Sequence, residues 1–386
     1  MIRLLVVFLL LVGFVRAEDW NITGYYENQL FPQKIGSSFK WLDYNKLRLD
    51  FERAIGENLF ISGDVIGQTW HGWTFFSATD FLPPEVLSQT GLPPWMLEDL
   101  LSERREDRVF LDNISITYYA GRFTLQAGRQ QVPFGDGYAW NPTDIFHEKN
   151  VLDPTYEKEG VNVFRAEWNW TGETRMQTVW KIGENWQKST AAWRFRTSMA
   201  GWSLSAMGGK QWHPPYNPLQ PDGGRSSAVA GGGLSGQLLG CGVWGEGAFH
   251  SREDQSDYSQ WLVGVDYTLE NGLYLMNEYY FNGLGKSNAA SYQFDDWMRL
   301  LSATGENLGR QYLYSGVRYP VTELANISFY HLYNFSDNSG LLMPWWDYNL
   351  SDNSELIFAG YFPYGKALSE FGEFGWGGFA RIRIYF

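Results

Sequence analysis

The chain has 386 residues, of which 43 are Asp or Glu and 30 are Lys or Arg, so its formal net charge is −13. This acidic balance disfavours nucleic acid as a partner, because proteins that bind nucleic acid meet its phosphates with Lys and Arg. The single cysteine, Cys241, excludes an intrachain disulfide. The lack of a Cys-Xaa-Xaa-Cys-His motif excludes a c-type haem attached to this chain.

Aromatic residues make up 18% of the chain and charged residues 19%, while the mean hydropathy is −0.33. A negative mean hydropathy is expected of transmembrane strands, in which lipid-facing and polar residues alternate and their hydropathies average out. A secreted carbohydrate-binding β-protein would also carry many Trp and Tyr residues. Composition alone leaves this alternative open.

The N-terminal segment has the features of a cleaved secretory signal. Arg3 supplies the positive charge, residues 4–14 form an apolar stretch, and Val15-Arg16-Ala17 follows where a signal peptidase cuts. The apolar stretch is too short to span a bilayer as a helix. We therefore expect residues 1–17 to be a signal peptide and residues 18–386 to form the mature protein, which no other long apolar run interrupts.

Strand-length segments then recur along the whole mature chain, separated by Gly and Asn turns or by longer polar connections. They lie near residues 21–32, 43–55, 58–68, 108–119, 122–130, 160–170, 173–183, 189–199, 202–212, 226–237, 240–250, 258–269, 272–282, 309–319, 324–335, 341–350, 354–362 and 375–386. This pattern predicts an all-β chain of about 18 strands, with 16–18 the plausible range.

The connections between these segments alternate between short and long. The short ones include 56–58, 120–121, 171–173, 200–201, 270–272 and 351–354. The long ones are 69–107, 131–159, 213–225, 283–308 and 363–374. An up-and-down antiparallel β-barrel in an outer membrane has this alternation, with short periplasmic turns and long extracellular loops.

Within these segments, charged and apolar residues alternate at period two, as Arg165 and Glu167 alternate with Phe164 and Trp168. A charge facing lipid at mid-depth would cost about 2–4 kcal/mol, so we predict that the charged faces line a water-filled lumen. The pore-lining candidates on strands are Arg165, Glu167, Arg175, Lys181, Arg194, Arg196, Arg381 and Arg383. The basic residues suggest one positive wall, and Asp50, Glu52 and Asp64 could line the other.

Three long connections depart from simple turns. Residues 83–107 contain Trp95-Met96-Leu97 and Leu100-Leu101, and residues 284–308 contain Trp297, Met298, Leu300 and Leu301. Both patterns predict short amphipathic helices, which could fold over the pore mouth or only cap their own loops. Residues 131–158 are rich in turn formers and aromatics, as a loop packed inside a barrel would be.

A run of glycines marks two neighbouring strands of low bulk, from Gly231-Gly232-Gly233 to Gly247. Small side chains there would allow either close packing between barrels or room for an inward loop. The sequence leaves both open.

The last segment, 376–386, places its apolar residues on one face and Arg381, Arg383 and Tyr385 on the other, and it ends at Phe386. This ending resembles the C-terminal signature of bacterial outer-membrane β-barrel proteins, whose terminal aromatic residue is recognised by the barrel-insertion machinery. The resemblance implies that Tyr385 and Phe386 form the insertion signal. It also implies that the barrel lies among outer-membrane lipid.

The chain as a whole resembles the outer-membrane porins in its ending, topology and face pattern. Gly128-Arg129-Gln130 and Trp140-Asn141-Pro142-Thr143-Asp144 are also similar to a pattern in porin-type families without assigned substrates. In many porins the third loop folds inward, so the resemblance implies a constriction formed by residues 131–158. Its charged candidates are Asp136, Asp144, His147, Glu148, Lys149, Asp153, Glu157 and Lys158.

The function implied by this resemblance is passive diffusion of small polar or charged solutes across the outer membrane. Porins are often trimers, so a homo-oligomer remains open. We expect neither a cofactor nor a metal ion, because the acidic residues show no repeated calcium-loop spacing.

Two alternatives have different requirements. A sheath around a multihaem cytochrome, forming a conduit for electrons, would need a lumen without a constriction of its own. An outer-membrane enzyme would need a Ser or Asp beside a His. The adjacent His250 and Ser251 point to opposite faces of a strand, and no nucleophile motif is present, so we expect no catalytic residues.

Overall fold

A computed structural model describes residues 20–147, 157–253, 255–302 and 307–386. The expected signal peptide at residues 1–17 lies outside this range, and so do Glu148, Lys149 and Asp153. Among the described residues, no helix is long and apolar enough to cross a bilayer.

The described chain forms twenty strands. They are β1 (Asn21–Ile35), β2 (Ser38–Ile55), β3 (Leu59–Gly72), β4 (Phe75–Ser77), β5 (Ser102–Arg104), β6 (Arg108–Ala120), β7 (Phe123–Gln130), β8 (Val161–Asn169), β9 (Thr174–Lys181), β10 (Thr190–Met199), β11 (Trp202–His213), β12 (Arg225–Leu238), β13 (Cys241–Arg252), β14 (Tyr258–Thr268), β15 (Tyr274–Asn282), β16 (Gln311–Pro320), β17 (Ala325–Asn334), β18 (Ser339–Ser351), β19 (Ser354–Tyr364) and β20 (Gly377–Tyr385).

Eighteen of these strands form one antiparallel sheet, in which each strand pairs with the next along the chain. The sheet closes on itself because β20 also pairs with β1, from Tyr25 opposite Tyr385 to Gln33 opposite Gly377. Phe386 and Gly24 exchange backbone hydrogen bonds of 2.9 and 3.0 Å at the end of this seam. Closure leaves no unpaired strand edge, which is what a sheet surrounded by lipid requires.

The architecture confirms the all-β barrel of about 18 strands and its alternation of connections. Each predicted strand has an observed counterpart, while β4 and β5 form a separate two-stranded ribbon inside the second loop. The first hairpin is longer than the sequence predicted, because β1 continues past residue 32 and β2 begins before residue 43. They pair as far as Ile35 opposite Ser38, across a tight turn in which Gly36 takes a φ of +56°, a conformation that suits glycine.

Alternate residues of the barrel strands face in opposite directions. On β8, β9 and β10, large apolar side chains such as Phe164, Trp180 and Trp193 are exposed on the outer face. Val163 and Val179 on the inner face are buried. The exposed apolar band is the surface that a bilayer would cover, because lipid solvates these side chains and water does not.

Among the described residues, the α-helices lie in loops at one end of the barrel, here called the long-loop end. They are α1 (Pro84–Ser88), α2 (Pro94–Leu100) and α3 (Phe294–Leu301). Leu97 and Leu101 pack in one buried cluster with Trp297 and Met298, so two loops that are far apart in sequence cover each other. The predicted helices therefore form a shared cap at this end of the barrel, as well as capping their own loops.

The third loop leaves the long-loop end between β7 and β8 and folds into the lumen. Its Phe134 and Phe146 pack with Val179, Val229 and other inward side chains of β8–β13. Its Ala139 and Trp140 join a second cluster on the inner face of β14–β18. The loop thus covers one side of the barrel interior, as the sequence predicted for residues 131–158.

Two of the glycines on β12 make room for this loop. A Cβ on Gly231 would lie 3.1 Å from Cγ2 of Thr143, and one on Gly233 would lie 3.1 Å from Oδ2 of Asp136. Gly247, in contrast, lies on the outer face of β13, next to Trp261. The sequence left open whether these glycines serve packing between barrels or make room for an inward loop. At Gly231 and Gly233, they make room for the loop.

We expect Gly233→Leu to displace the third loop, because the new side chain would occupy the space of the Asp136 carboxylate. Hydrogen exchange of amides in residues 133–147 should become faster, while the barrel strands stay protected. Gly247→Leu adds the same bulk on the outer face of the neighbouring strand and serves as the matched control. Unchanged exchange in Gly233→Leu would show that the loop does not depend on this contact.

Candidate functional site

Glu246 on β13 is the first of two barrel carboxylates that hold the third loop. Its side chain accepts backbone hydrogen bonds from Asp136 at 2.5 Å, Gly137 at 3.3 Å and Thr143 at 2.7 Å, and one from the Thr143 hydroxyl at 2.9 Å. The residue is only 4% exposed. Since buried N–H groups without acceptors are costly, this carboxylate fixes the fold of the loop as well as its position.

Glu278 on β15 does the same for the next part of the loop. It accepts backbone hydrogen bonds from Tyr138 at 2.6 Å, Ala139 at 2.8 Å and Trp140 at 3.1 Å, and another from the Trp244 indole at 2.6 Å. In the circuit of 18 strands, β15 lies nearly opposite β7, where the loop begins. The loop therefore crosses the lumen and is attached on the far wall.

Asp136 forms the polar tip of the loop and lies between two arginines of β10. Its carboxylate is 2.8 Å from Arg196 and 3.5 Å from Arg194. Arg194 also lies over the ring of Phe134, 5.2 Å from its centroid. The structure thus brings together three of the pore-lining candidates, and it shows that Arg194 and Arg196 hold the loop.

Asp144 is enclosed within the loop. It forms a 2.6 Å ion pair with Lys158 and accepts backbone hydrogen bonds from Phe146 and His147. Burial raises the pKa of Asp144, and the Lys158 ammonium opposes that rise. Burial lowers the pKa of His147 to about 4, so its neutral ring accepts a hydrogen bond from the Val132 N–H. Asp144 was predicted to line the constriction, but the structure places it in the support of the loop.

Glu157 attaches the return of the loop to the near wall. Its carboxylate lies 2.8 Å from Arg48 and 3.3 Å from Lys46 on β2, and it accepts a 2.9 Å hydrogen bond from the Tyr25 hydroxyl. Burial acts to raise the pKa of Glu157, but the two cations outweigh it and the pKa falls below its usual value. Both walls of the barrel therefore contribute charges that hold this loop.

Glu370, in the last loop, joins the loops at the mouth. It is fully buried and accepts hydrogen bonds from Tyr312 at 2.5 Å, Asn334 at 2.8 Å, and Asn307 and the Leu308 N–H at 3.2 Å each. Burial raises the pKa of Glu370 to about 7. Asn307 in turn accepts a 2.8 Å hydrogen bond from the Trp140 indole, so the third loop, the α3 loop and the last loop form one hydrogen-bonded unit.

Space remains on the side of the lumen that the third loop does not cover. A cavity of about 860 Å³ lies against β1, β2, β3 and β6 on one side and β17–β20 on the other. Glu157 and Lys46 border it, as do Phe371 and Phe374 of the last loop. Among the described residues, the third loop therefore leaves part of the lumen as open space, and this cavity lies beside the loop.

The other predicted strand residues lie on inner faces, and several are paired. Arg165 lies 2.7 Å from Glu167, and Arg383 lies 2.6 Å from Glu27 and 3.4 Å from Glu355. The remaining candidates on inner faces are Arg175, which is exposed, Lys181, which is partly exposed, and Arg381, which is 2% exposed. Glu148 lies outside the described residues.

Sequence reasoning missed Glu246, Glu278 and Glu370. Glu246 lies between Gly245 and Gly247, and Glu278 precedes three aromatic residues. For Glu246 and Glu278, the available signal was a single acidic residue in the middle of a strand, on its inward face. Rows of charge lining water were expected instead, whereas these carboxylates accept backbone hydrogen bonds.

In the described part of the chain, His213 and Ser227 share a Ser–His hydrogen bond of 3.0 Å. Ser227 is 2% exposed, and within the described ranges no carboxylate is hydrogen-bonded to His213. Over the same ranges, no group of three or more His, Cys, Asp or Glu side chains is arranged to hold a metal ion.

We expect Glu246→Ala to release the loop tip, because three backbone N–H groups and a hydroxyl would lose their acceptor at about 1–3 kcal/mol each. Limited proteolysis of the folded protein should then cut within residues 133–147. Glu167→Ala removes an inward carboxylate that pairs with Arg165 and touches no loop amide, so it should stay resistant. Equal resistance of the two variants would contradict the proposed attachment.

The buried Glu370 predicts a pH-dependent cap. Its pKa of about 7 in the closed loops lies above the ordinary 4.5, so the closed form binds more protons than the open form between these values. The cap should be most stable below pH 4.5 and should weaken as the pH rises to 7, by about 3 kcal/mol in total.

Hydrogen exchange of residues 365–376, corrected for the intrinsic effect of pH, measures this change. Glu370→Gln should abolish the pH dependence, whereas Glu373→Gln, in the same loop, should keep it. A cap that is equally protected at pH 5 and pH 8 in the unmodified protein would refute the prediction.

Comparisons with known proteins complete the description of the fold. Neither a protein-family model nor a curated protein sequence matches the chain. Among solved structures, OccAB1 of Acinetobacter baumannii superposes with a TM-score of 0.61 at 8% identity, covering 96% of this chain and 97% of that one. A variant of OccD1 (OprD) gives 0.60 at 9%, covering 96% and 95%, and OpdQ of Pseudomonas aeruginosa gives 0.56 at 10%, covering 96% and 98%.

At these identities the similarity is one of fold, and it extends over nearly the whole length of each chain. In this chain, that fold is a closed circuit of 18 antiparallel strands in which short turns alternate with long loops. The chain has the fold of the bacterial outer-membrane porins.

Proposed function

We propose that the protein is a channel through which small polar or charged solutes diffuse passively across the bacterial outer membrane. The observation that carries this proposal is a closed 18-strand barrel in which the described part of the third loop narrows the lumen and leaves a cavity beside it. A water-containing passage lowers the barrier that a bilayer presents to polar solutes, and an attached loop sets the size limit. The porin fold supports the same function.

Charged groups inside the barrel support selectivity by electrostatics. Lys46 and Glu157 border the cavity, and Arg48 pairs with Glu157. Arg194, Arg196 and Asp136 meet at the loop tip, outside the lining of the cavity. Paired charges of this kind present both signs to a solute, in contrast to one basic and one acidic wall. Selectivity would then depend on which partner of each pair is nearer to the passage.

A sheath around a cytochrome is the weaker alternative. It needs a lumen without a constriction of its own, whereas the third loop crosses the lumen and is attached to β13 and β15 through Glu246 and Glu278. A partner entering the barrel would have to displace these buried contacts. An enzyme is also less well supported, because Ser227 is buried beside His213 and no carboxylate orients that ring among the residues described.

The proposed location depends on two terminal segments. Residues 1–17 would direct export and be removed after Ala17, and Tyr385 and Phe386 would be recognised during insertion into the outer membrane. N-terminal sequencing of protein extracted from outer membranes tests the first part. If the mature chain begins at a residue other than Glu18, the proposed cleavage after Ala17 is wrong.

The channel itself is tested by planar-bilayer recording of the purified, folded protein. Stepwise conductance that rises with salt concentration would support an open pore. A folded barrel that never conducts would overturn the proposal and direct attention to a bound partner.

Ion selectivity should respond to the charges at the loop tip. Arg194→Ala with Arg196→Ala leaves the Asp136 carboxylate uncompensated, so the reversal potential in a salt gradient should shift toward cations. Asp136→Asn removes the opposite charge and should shift it toward anions. Lys210→Ala is the matched control, because that lysine points outward and binds the backbone of Trp186 and Gln187. No shift in either loop-tip variant would show that these charges lie away from the conduction path.

A further inference from the structure

The cavity beside the third loop, taken here as the passage, has two walls of different composition. One wall, here called the apolar wall, comes from β17–β20, α3 and the last loop, where Leu300, Leu332, Leu341, Phe371, Phe374 and Phe379 outnumber the polar Asn307 and Glu370. The other, here called the polar wall because it carries the charge pairs, comes from β1–β3, β6 and the return of the third loop, and it mixes Gln29, Lys46, Gln68, Arg108, Asp112 and Glu157 with Phe31, Ile66, Trp70 and Phe110. A solute in the cavity would contact both.

The apolar wall is built from inward residues of the barrel. Leu332, Leu341 and Phe379 alternate with outward side chains on strands that also face lipid. Phe374 in the last loop extends the same surface toward the mouth, where it packs near Trp297. Apolar side chains that line an aqueous passage favour solutes with apolar surface of their own, because contact removes both surfaces from water.

The polar wall carries charges of both signs in pairs. Lys46 lies 3.3 Å from Glu157. Arg108 donates a 2.7 Å hydrogen bond to Gln68 and lies 3.9 Å from Glu159. Asp112 lies 3.7 Å from Arg129. Such a wall attracts neither cations nor anions strongly, but it offers adjacent partners to a head group that itself carries both signs.

We propose that the passage selects amphipathic solutes with a zwitterionic head and an aromatic or branched aliphatic body. The head would move along the polar wall while the body moves along the apolar wall. The cavity of about 860 Å³ is of the size that accommodates small organic molecules. This inference rests on the proposed channel function and adds the chemical class of the solute.

The test compares phenylalanine with glutamine, two zwitterions of similar size whose side chains differ in polarity. Their initial uptake into proteoliposomes is measured at micromolar concentration, with protein-free liposomes subtracted, and salt conductance is recorded from the same preparation. We expect phenylalanine to enter about tenfold faster, as partial burial of a phenyl ring would allow.

Leu300→Gln and Phe374→Ser should bring the phenylalanine-to-glutamine ratio close to one. Both side chains are partly exposed and lie in loops, so the barrel should still fold, which heat-modified mobility on a gel verifies. Leu219→Gln is the matched control, because Leu219 packs in the same cap but does not line the cavity. It should leave the ratio unchanged.

The outcomes separate the two proposals. Conductance with equal uptake of the two solutes would overturn the amphipathic selectivity and leave the channel intact. A ratio that survives both cavity variants, or that Leu219→Gln also abolishes, would likewise overturn it. Absence of both conductance and uptake from a folded barrel would overturn the channel function itself.

Discussion

The interior of this barrel depends on two wall carboxylates that accept backbone hydrogen bonds from a loop. Glu246 and Glu278 together receive six such bonds from residues 136–143. A carboxylate buried without donors would be costly, and so would the loop amides without acceptors, so each requires the other. This mutual requirement gives an irregular segment a defined path across the lumen.

The asymmetry of the lumen follows from that path. The loop buries the inner faces of β8–β13 beneath Phe134 and Phe146, and the cavity lies toward β1–β3 and β17–β20. At the mouth, Glu370 ties the last loop to the α3 loop, and through Asn307 to Trp140. The properties proposed for the passage therefore come from its uncovered walls and from loops that meet only in the folded state.

The sequence predicted the barrel well because the relevant signals are local. Period-two alternation, as in Arg165 to Trp168, follows directly from strand geometry, and short turns such as Ala120-Gly121 mark where strands reverse. The charged candidates on strands were also placed on inner faces, since a charge that faces lipid at mid-depth is costly. The sequence could not predict the partners of these charges. Arg196 and Asp136 are 60 residues apart, and alternation along a strand carries no information about contacts across the lumen.

Alone, the sequence determined an antiparallel barrel of about 18 strands and its inward and outward faces. Both depend on neighbours along the chain or on the cost of placing charge in lipid. The third loop was named as the candidate constriction from the resemblance to porins. Only the tertiary structure decided where the loop is attached, that Asp144 supports it from within, and that apolar side chains predominate on one side of the cavity. Those features arise where distant segments meet, and closure of the barrel between β1 and β20 is what brings them together.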